Sequence, residues 1–82
     1  MTIGEEVKVQ EIDIDRRKMV LLFQGFKPWT MEVGFEVIEG YKEGASLIDL
    51  QQYGPDGLVP GTIVQCDYSG SGTFVTRIWP FL

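Results

Sequence analysis

From Trp29 to Val37 the chain alternates without a break. Trp29, Met31, Val33, Phe35 and Val37 are apolar, and Thr30, Glu32, Gly34 and Glu36 between them are polar or small. A period of two sends successive side chains to opposite faces of a strand, so this stretch has one face for a core and one for water. Such a strand needs neighbours, and the other apolar runs supply them. Residues 18–24, "KMVLLFQ", are nearly continuous in apolar side chains, as suits a strand covered on both faces or curled into a barrel. Residues 3–14, "IGEEVKVQEIDI", place Val7 and Val9 on one parity and Ile12 and Ile14 on the other, which calls for a bulge or bend near Gln10 and Glu11.

Two more strands follow late in the chain. In "TIVQCDY", residues 62–68, Thr62, Val64, Cys66 and Tyr68 share a face. In "TFVTRIW", residues 73–79, Phe74, Thr76 and Ile78 lie on one side and Val75, Arg77 and Trp79 on the other. Pro80 suits the end of an edge strand, where a missing N–H leaves no ladder bond unmade. The stretches "DIDRRK", "GFKPWT", "GPDGLVPG" and "SGSG" punctuate these runs as turns. Only "GASLIDLQQYG", residues 44–54, breaks the alternation. There Ser46 and Asp49 resemble a capping box, and Leu47, Leu50 and Tyr53 line one side of a helix of about two turns, with a strand as the alternative. The expected architecture is mainly β: one domain over residues 1–82, a small five-stranded antiparallel barrel with a short helix between the third and fourth strands. Closing the sheet also removes edges that an open five-stranded sheet would expose.

With 82 residues and one cysteine, the chain can form no internal disulfide, so its 44% of hydrophobic residues must supply the core unaided. A lone thiol, no apolar run long enough to span a bilayer and no secretion-type leader point to the cytoplasm. Histidine is absent, which removes the commonest general base and metal ligand together. One cysteine cannot make a zinc site, and no nucleophile has an activating neighbour in sequence. The expectation is a non-enzymatic protein with no catalytic residue, metal or cofactor.

The order of elements resembles the OB-fold, most closely the single-stranded-DNA-binding proteins of that fold. Those proteins run through an apolar strand, a "W-T" strand, a small helix, a glycine- and valine-containing strand and a closing "Y-x-T-x-I" strand. This chain offers "VLLFQGFKPWTMEVGFEV", "ASLIDLQQY", "LVPGTIVQCDY" and "FVTRIWPF", which together cover most of its length. It departs from them in carrying its acids in the body of the domain rather than in a separate tail. The resemblance implies bases stacked on aromatic side chains beside a basic groove. Phe26, Trp29, Phe74 and Trp79 are the candidate rings, and Arg16, Arg17, Lys18, Lys27 and Arg77 the candidate phosphate contacts. Six of the seven basic residues lie outside the acidic stretch 32–43.

Each of these residues also has a structural role open to it. Trp29 shares its parity with four apolar residues, which favours the core, whereas Trp79 shares a face with Arg77 and stays open between burial and a ligand. The cations of "DRRK" follow two aspartates and suit a solvated, locally paired turn. A net charge of −5 sets an unfavourable field for phosphate and motivates a second expectation. In that reading the chain is a small acidic protein-interaction module, an inhibitor or assembly subunit of the kind phages and mobile elements encode. A partner protein would meet Glu32, Glu36, Glu39 and Glu43, or a second copy would meet an exposed "IWPFL" edge.

Overall fold

The computed structural model of the chain describes residues 4–68, without the side chain of Tyr68, and residues 74–81. The turn expected at "SGSG", the ends of the chain and the face taken by the Tyr68 ring lie outside the described residues. Five strands form one antiparallel sheet: β1 (Glu5–Asp13), β2 (Lys18–Phe23), β3 (Trp29–Gly34), β4 (Ile63–Tyr68) and β5 (Val75–Pro80), in the spatial order β3-β2-β1-β4-β5. The sheet is strongly curled into a half-barrel. An isolated parallel bridge between Ile38 and Ile78, backed by the Glu39 N–H donating to the Ile78 carbonyl at 2.8 Å, ties the chain just past β3 to β5.

The curl starts in β1. Its first half pairs with β4, from Glu5 opposite Cys66 to Lys8 opposite Ile63, and β2 takes Val7 to Asp13. The register slips between Val9 and Glu11, the bulge that the change of parity requires. Val9 holds the bend from the other side: its N–H donates to the Thr62 carbonyl at 2.8 Å, and its carbonyl accepts from Gly61 N–H at 2.7 Å. Val7 and Val9 point inward before the slip, Ile12 packs on the core after it, and Ile14 is left exposed.

The inner face of the curl is the core. Val7 and Val9 from β1, Met19, Leu21 and Phe23 from β2, Val64 and Cys66 from β4, and Ile78 from β5 are all within 1% of full burial. Val20 and Leu22 on the other face of β2 are half-buried, so the continuous apolar run reflects one fully covered face and one partly covered face.

Four expectations need correcting. The alternating stretch is a strand only to Gly34; Phe35–Val37 form a 3-10 turn, η1, begun where the Phe35 N–H donates to the Arg17 carbonyl at 3.0 Å. The turn shifts the parity, so Phe35 and Ile38 are buried and Val37 only partly. Residues 47–53 form no α-helix but two 3-10 turns, η2 (Leu47–Asp49) and η3 (Gln51–Tyr53), because Leu50 leaves helical geometry at φ −86, ψ 56. A segment this short gains little from α-helical bonding, whereas Leu47, Leu50 and Tyr53 at intervals of three eclipse one another in a 3-10 path and all reach the core. The cap is the Ser46 hydroxyl accepting from Ile48 N–H at 3.2 Å, not a box closed by Asp49. In β5, Phe74 and Ile78 do not share a face: the register shifts between Asp67 and Tyr68, so Val75 and Ile78 both point inward and Phe74 is exposed. The extra residue is Thr76, whose hydroxyl donates to the Asp67 carbonyl at 3.2 Å.

Candidate nucleic-acid interface

The nine residues expected to meet a ligand fall into three groups. The first is the β1–β2 turn, which carries Arg16, Arg17 and Lys18. Asp13 shapes it by accepting the Arg16 N–H on Oδ1 at 3.1 Å, and Arg17 N–H donates to the Ile14 carbonyl at 3.2 Å. To complete the turn Arg17 adopts φ 54, a left-handed conformation that a non-glycine residue seldom takes. Strand pairing then brings these cations to the acids of β3 and the segment after it. Lys18 sits opposite Gly34 and Val20 opposite Glu32, so Lys18 Nζ reaches Glu32 Oε1 at 3.3 Å and Arg16 Nη2 reaches the same oxygen at 3.7 Å. Arg17 Nη1 donates to Glu43 Oε1 at 2.9 Å, and that carboxylate pushes the Arg17 pKa up.

These pairs lie in solvent, with Glu43 82% exposed and Glu32 46%. Solvent-exposed pairs of this kind are weak, so another anion can replace the carboxylate at small cost. Beside them opens a cleft of about 640 Å³, lined by Glu11, Asp13, Asp15 and Glu32 as well as by Arg16 and Lys18. Its acids outnumber its cations, so the cleft as a whole does not attract anions.

The second group is the β2–β3 turn, at the far end of β2 from Lys18 and roughly 17 Å from it at ~3.3 Å per residue. Phe26 is 100% exposed at its tip, beside the exposed Lys27. Trp29 pairs with Phe23 across the ladder and its ring lies flat on that phenylalanine, centroids 4.0 Å apart and planes 9° from parallel. Phe23 is completely buried and Trp29 is 40% exposed. The core position that its parity favours is therefore not taken up: Trp29 packs on Phe23 from outside the buried cluster and stays exposed. Lys27 has no carboxylate partner among the described residues.

The third group is on β5. Arg77 Nε donates to Asp67 Oδ2 at 3.0 Å, and its guanidinium lies 4.7 Å from the centroid of the Trp79 ring. Trp79 in turn donates from Nε1 to Gln65 Oε1 at 3.0 Å. Both side chains stand on the outer face, opposite Asp67 and Gln65 of β4. Trp79 is half-buried there because its ring lies over Gly4. Phe74, 57% exposed, precedes the strand.

Arg16 and Lys18 meet at Glu32 and Arg77 meets Trp79, whereas Phe26, Lys27 and Trp29 are neighbours along one turn, and among the described residues no hydrogen bond, ion pair or ring contact joins the three groups. Spacing along the chain did not identify the carboxylates that meet the cations, since Glu32, Glu43 and Asp67 arrive through strand pairing or long-range contact. It also passed over Lys8. This exposed residue lies on the outer face between Leu22 and Ile63, one strand from Thr30, and has no ion-pair partner among the described residues.

Cys66 is inert at neutral pH: burial first, and the Glu5 and Asp67 carboxylates second, push its thiol up to about 12. Among the described residues no three His, Cys, Asp or Glu side chains stand close enough to hold a metal ion, and no helix is long and apolar enough to cross a membrane. Comparison with protein families, with curated proteins and with solved structures finds no match to this chain.

Proposed function

We propose that this domain is a non-enzymatic module that binds single-stranded nucleic acid on an OB-like barrel. One observation carries the reading: the order β3-β2-β1-β4-β5, with parallel contact between Ile38 and Ile78. A curled five-stranded sheet in this order supports the resemblance to the OB-like barrel, in which the face of the second and third strands and the first loop receive oligonucleotides. In this chain that first loop carries Arg16, Arg17 and Lys18, whose charged groups pair, among the described residues, with the exposed carboxylates of Glu32 and Glu43. A phosphate that replaces Glu32 or Glu43 exchanges one weak pair for another and releases counterions, so affinity should be modest and fall steeply with salt.

Fluorescence anisotropy of a labelled oligothymidylate, titrated at about 20 mM and again at about 200 mM salt, tests this directly. Binding at micromolar protein in low salt, lost in high salt and resistant to duplex competitor, is the expected result. No binding at tens of micromolar protein in low salt overturns it.

A second reading is favoured by the ion pairs themselves. Arg16, Arg17, Lys18 and Arg77 all meet carboxylates, leaving a net charge of −5 on a surface suited to a basic protein partner. Reversing Arg16 and Arg17 to Glu separates the readings, since it weakens a strand's phosphate contacts and strengthens attraction to a basic partner.

A further inference from the structure

We propose that the free edge of β3 pairs antiparallel with the same edge of a second copy, centred on Met31, and joins two half-barrels into one continuous sheet. The pairing stands apart from the single-strand reading and moves self-association from the C-terminal edge to the other end of the sheet. β3 ends the order β3-β2-β1-β4-β5, and among the described residues it pairs with β2 alone. An edge of this kind offers a row of unmet N–H and C=O groups to any strand that fits. Proteins guard such edges with bulges, charges or prolines, and the opposite edge has all three. β5 carries the Thr76 bulge, Arg77 and Pro80, and Ile38 and Glu39 lie against it. β3 has no bulge and no proline within it, and its one charge, Glu32, is matched by Lys18 and Arg16.

The ladder shows which of its backbone groups are free. Phe35 N–H donates to the Arg17 carbonyl at 3.0 Å, and hydrogen-bonded pairs recur at every second residue of an antiparallel ladder, so Val33, Met31 and Trp29 bond to β2. Thr30 and Glu32 therefore turn their N–H and C=O outward. A two-fold axis at Met31 sets Thr30 opposite Glu32 of the second copy, and the reverse, so all of those groups are met. On the outer face each carboxylate then lies beside a threonine. On the inner face Met31 meets Met31, and Trp29, 40% exposed in the single chain, meets Val33. Neighbouring registers fit worse: centring on Thr30 places Pro28, which has no N–H, against Glu32, and centring on Glu32 puts two carboxylates face to face. Six residues at ~3.3 Å each make a short contact beside the ~1,200–2,000 Å² that stable complexes bury, so the dimer is weak and reversible.

Sedimentation equilibrium of the whole chain from about 5 to about 500 μM, without nucleic acid, reads the association. Wild type should pass from monomer to dimer with a midpoint on the order of 100 μM, and Thr30→Pro should weaken the association roughly tenfold or more. Proline there removes an outward N–H and leaves the bonds to β2 in place. Cysteine cross-linking reads the register, and decides the matter even where Thr30→Pro fails to fold. Met31→Cys faces itself across the axis in a non-hydrogen-bonded pair, ~4.5 Å between Cα atoms, and should give a disulfide-linked dimer, whereas Thr30→Cys, facing Glu32, should give none. A wild type that stays monomeric at every concentration, a dimer that folded Thr30→Pro leaves unchanged, or linking by Thr30→Cys in place of Met31→Cys overturns the pairing. None of these results touches the single-strand reading.

Discussion

Gly4 and Trp79 show how one missing side chain sets the place of a large one. A Cβ added at Gly4 would run into the Trp79 ring, closer than carbon atoms approach, so alanine there displaces the indole from its hydrogen bond to Gln65. Gly4→Ala should cost about 1–3 kcal/mol and shift tryptophan emission to the red, read by urea denaturation and the emission spectrum. Cys66 and Tyr53 give the domain an alkaline limit. Burial pushes the thiol up from 9.0 to about 12 and the phenol up from 10.0 to about 12. Both groups are neutral when protonated, and the unfolded chain loses these protons first. The stability they contribute is complete below about pH 8 and is lost as pH rises toward 12. Urea midpoints should therefore hold level to about pH 8 and then fall, and Cys66→Val should remove the part of the fall that begins near pH 9. A midpoint in Cys66→Val that falls from pH 9 as in wild type would contradict this.

Among the elements, the pair of 3-10 turns depends most on a single residue. Gly57 adopts φ +77 against the backbone of η2, and a Cβ there would sit 2.6 Å from the Ile48 carbonyl oxygen and 2.7 Å from that of Leu47. The next residue, Leu58, is buried and its N–H donates to that Leu47 carbonyl at 3.1 Å. Gly57→Ala should destabilise the domain by roughly 2–4 kcal/mol in denaturant titrations, through conformational strain and overpacking together. The strands around these turns were legible because their signals are local. The alternation at Trp29–Val33 and the parity change at Gln10 each follow from a few adjacent residues. The 3-10 path was not legible, because Leu47, Leu50 and Tyr53 fit the first turns of either helix type and the core decides between them. The Thr76 bulge was also hidden, since "FVTRI" alternates acceptably in either register and only pairing with Asp67 and Tyr68 selects one.

At the scale of the molecule, folding rearranges the charges that the chain keeps apart. Arg16, Arg17 and Lys18 are well separated from the acids of 32–43 in sequence, yet β2–β3 pairing and the turn after β3 lay them on Glu32 and Glu43. The candidate residues could be named from their types, but not the pairing that neutralises some and leaves Lys27 and Lys8 unpaired among the described residues. Glu32 holds two cations with one oxygen, so Glu32→Gln should raise affinity for a single strand several-fold at low salt and steepen its salt dependence, whereas Glu36→Gln should change little. The central claim is that this curled sheet receives a single strand, and amide chemical shifts recorded during titration with a short oligonucleotide at low salt test it most directly. The account predicts the largest changes at Gln24–Met31, with smaller ones at Arg16–Lys18. Amides that stay unmoved throughout, or that move only along Glu36–Glu43, would contradict it.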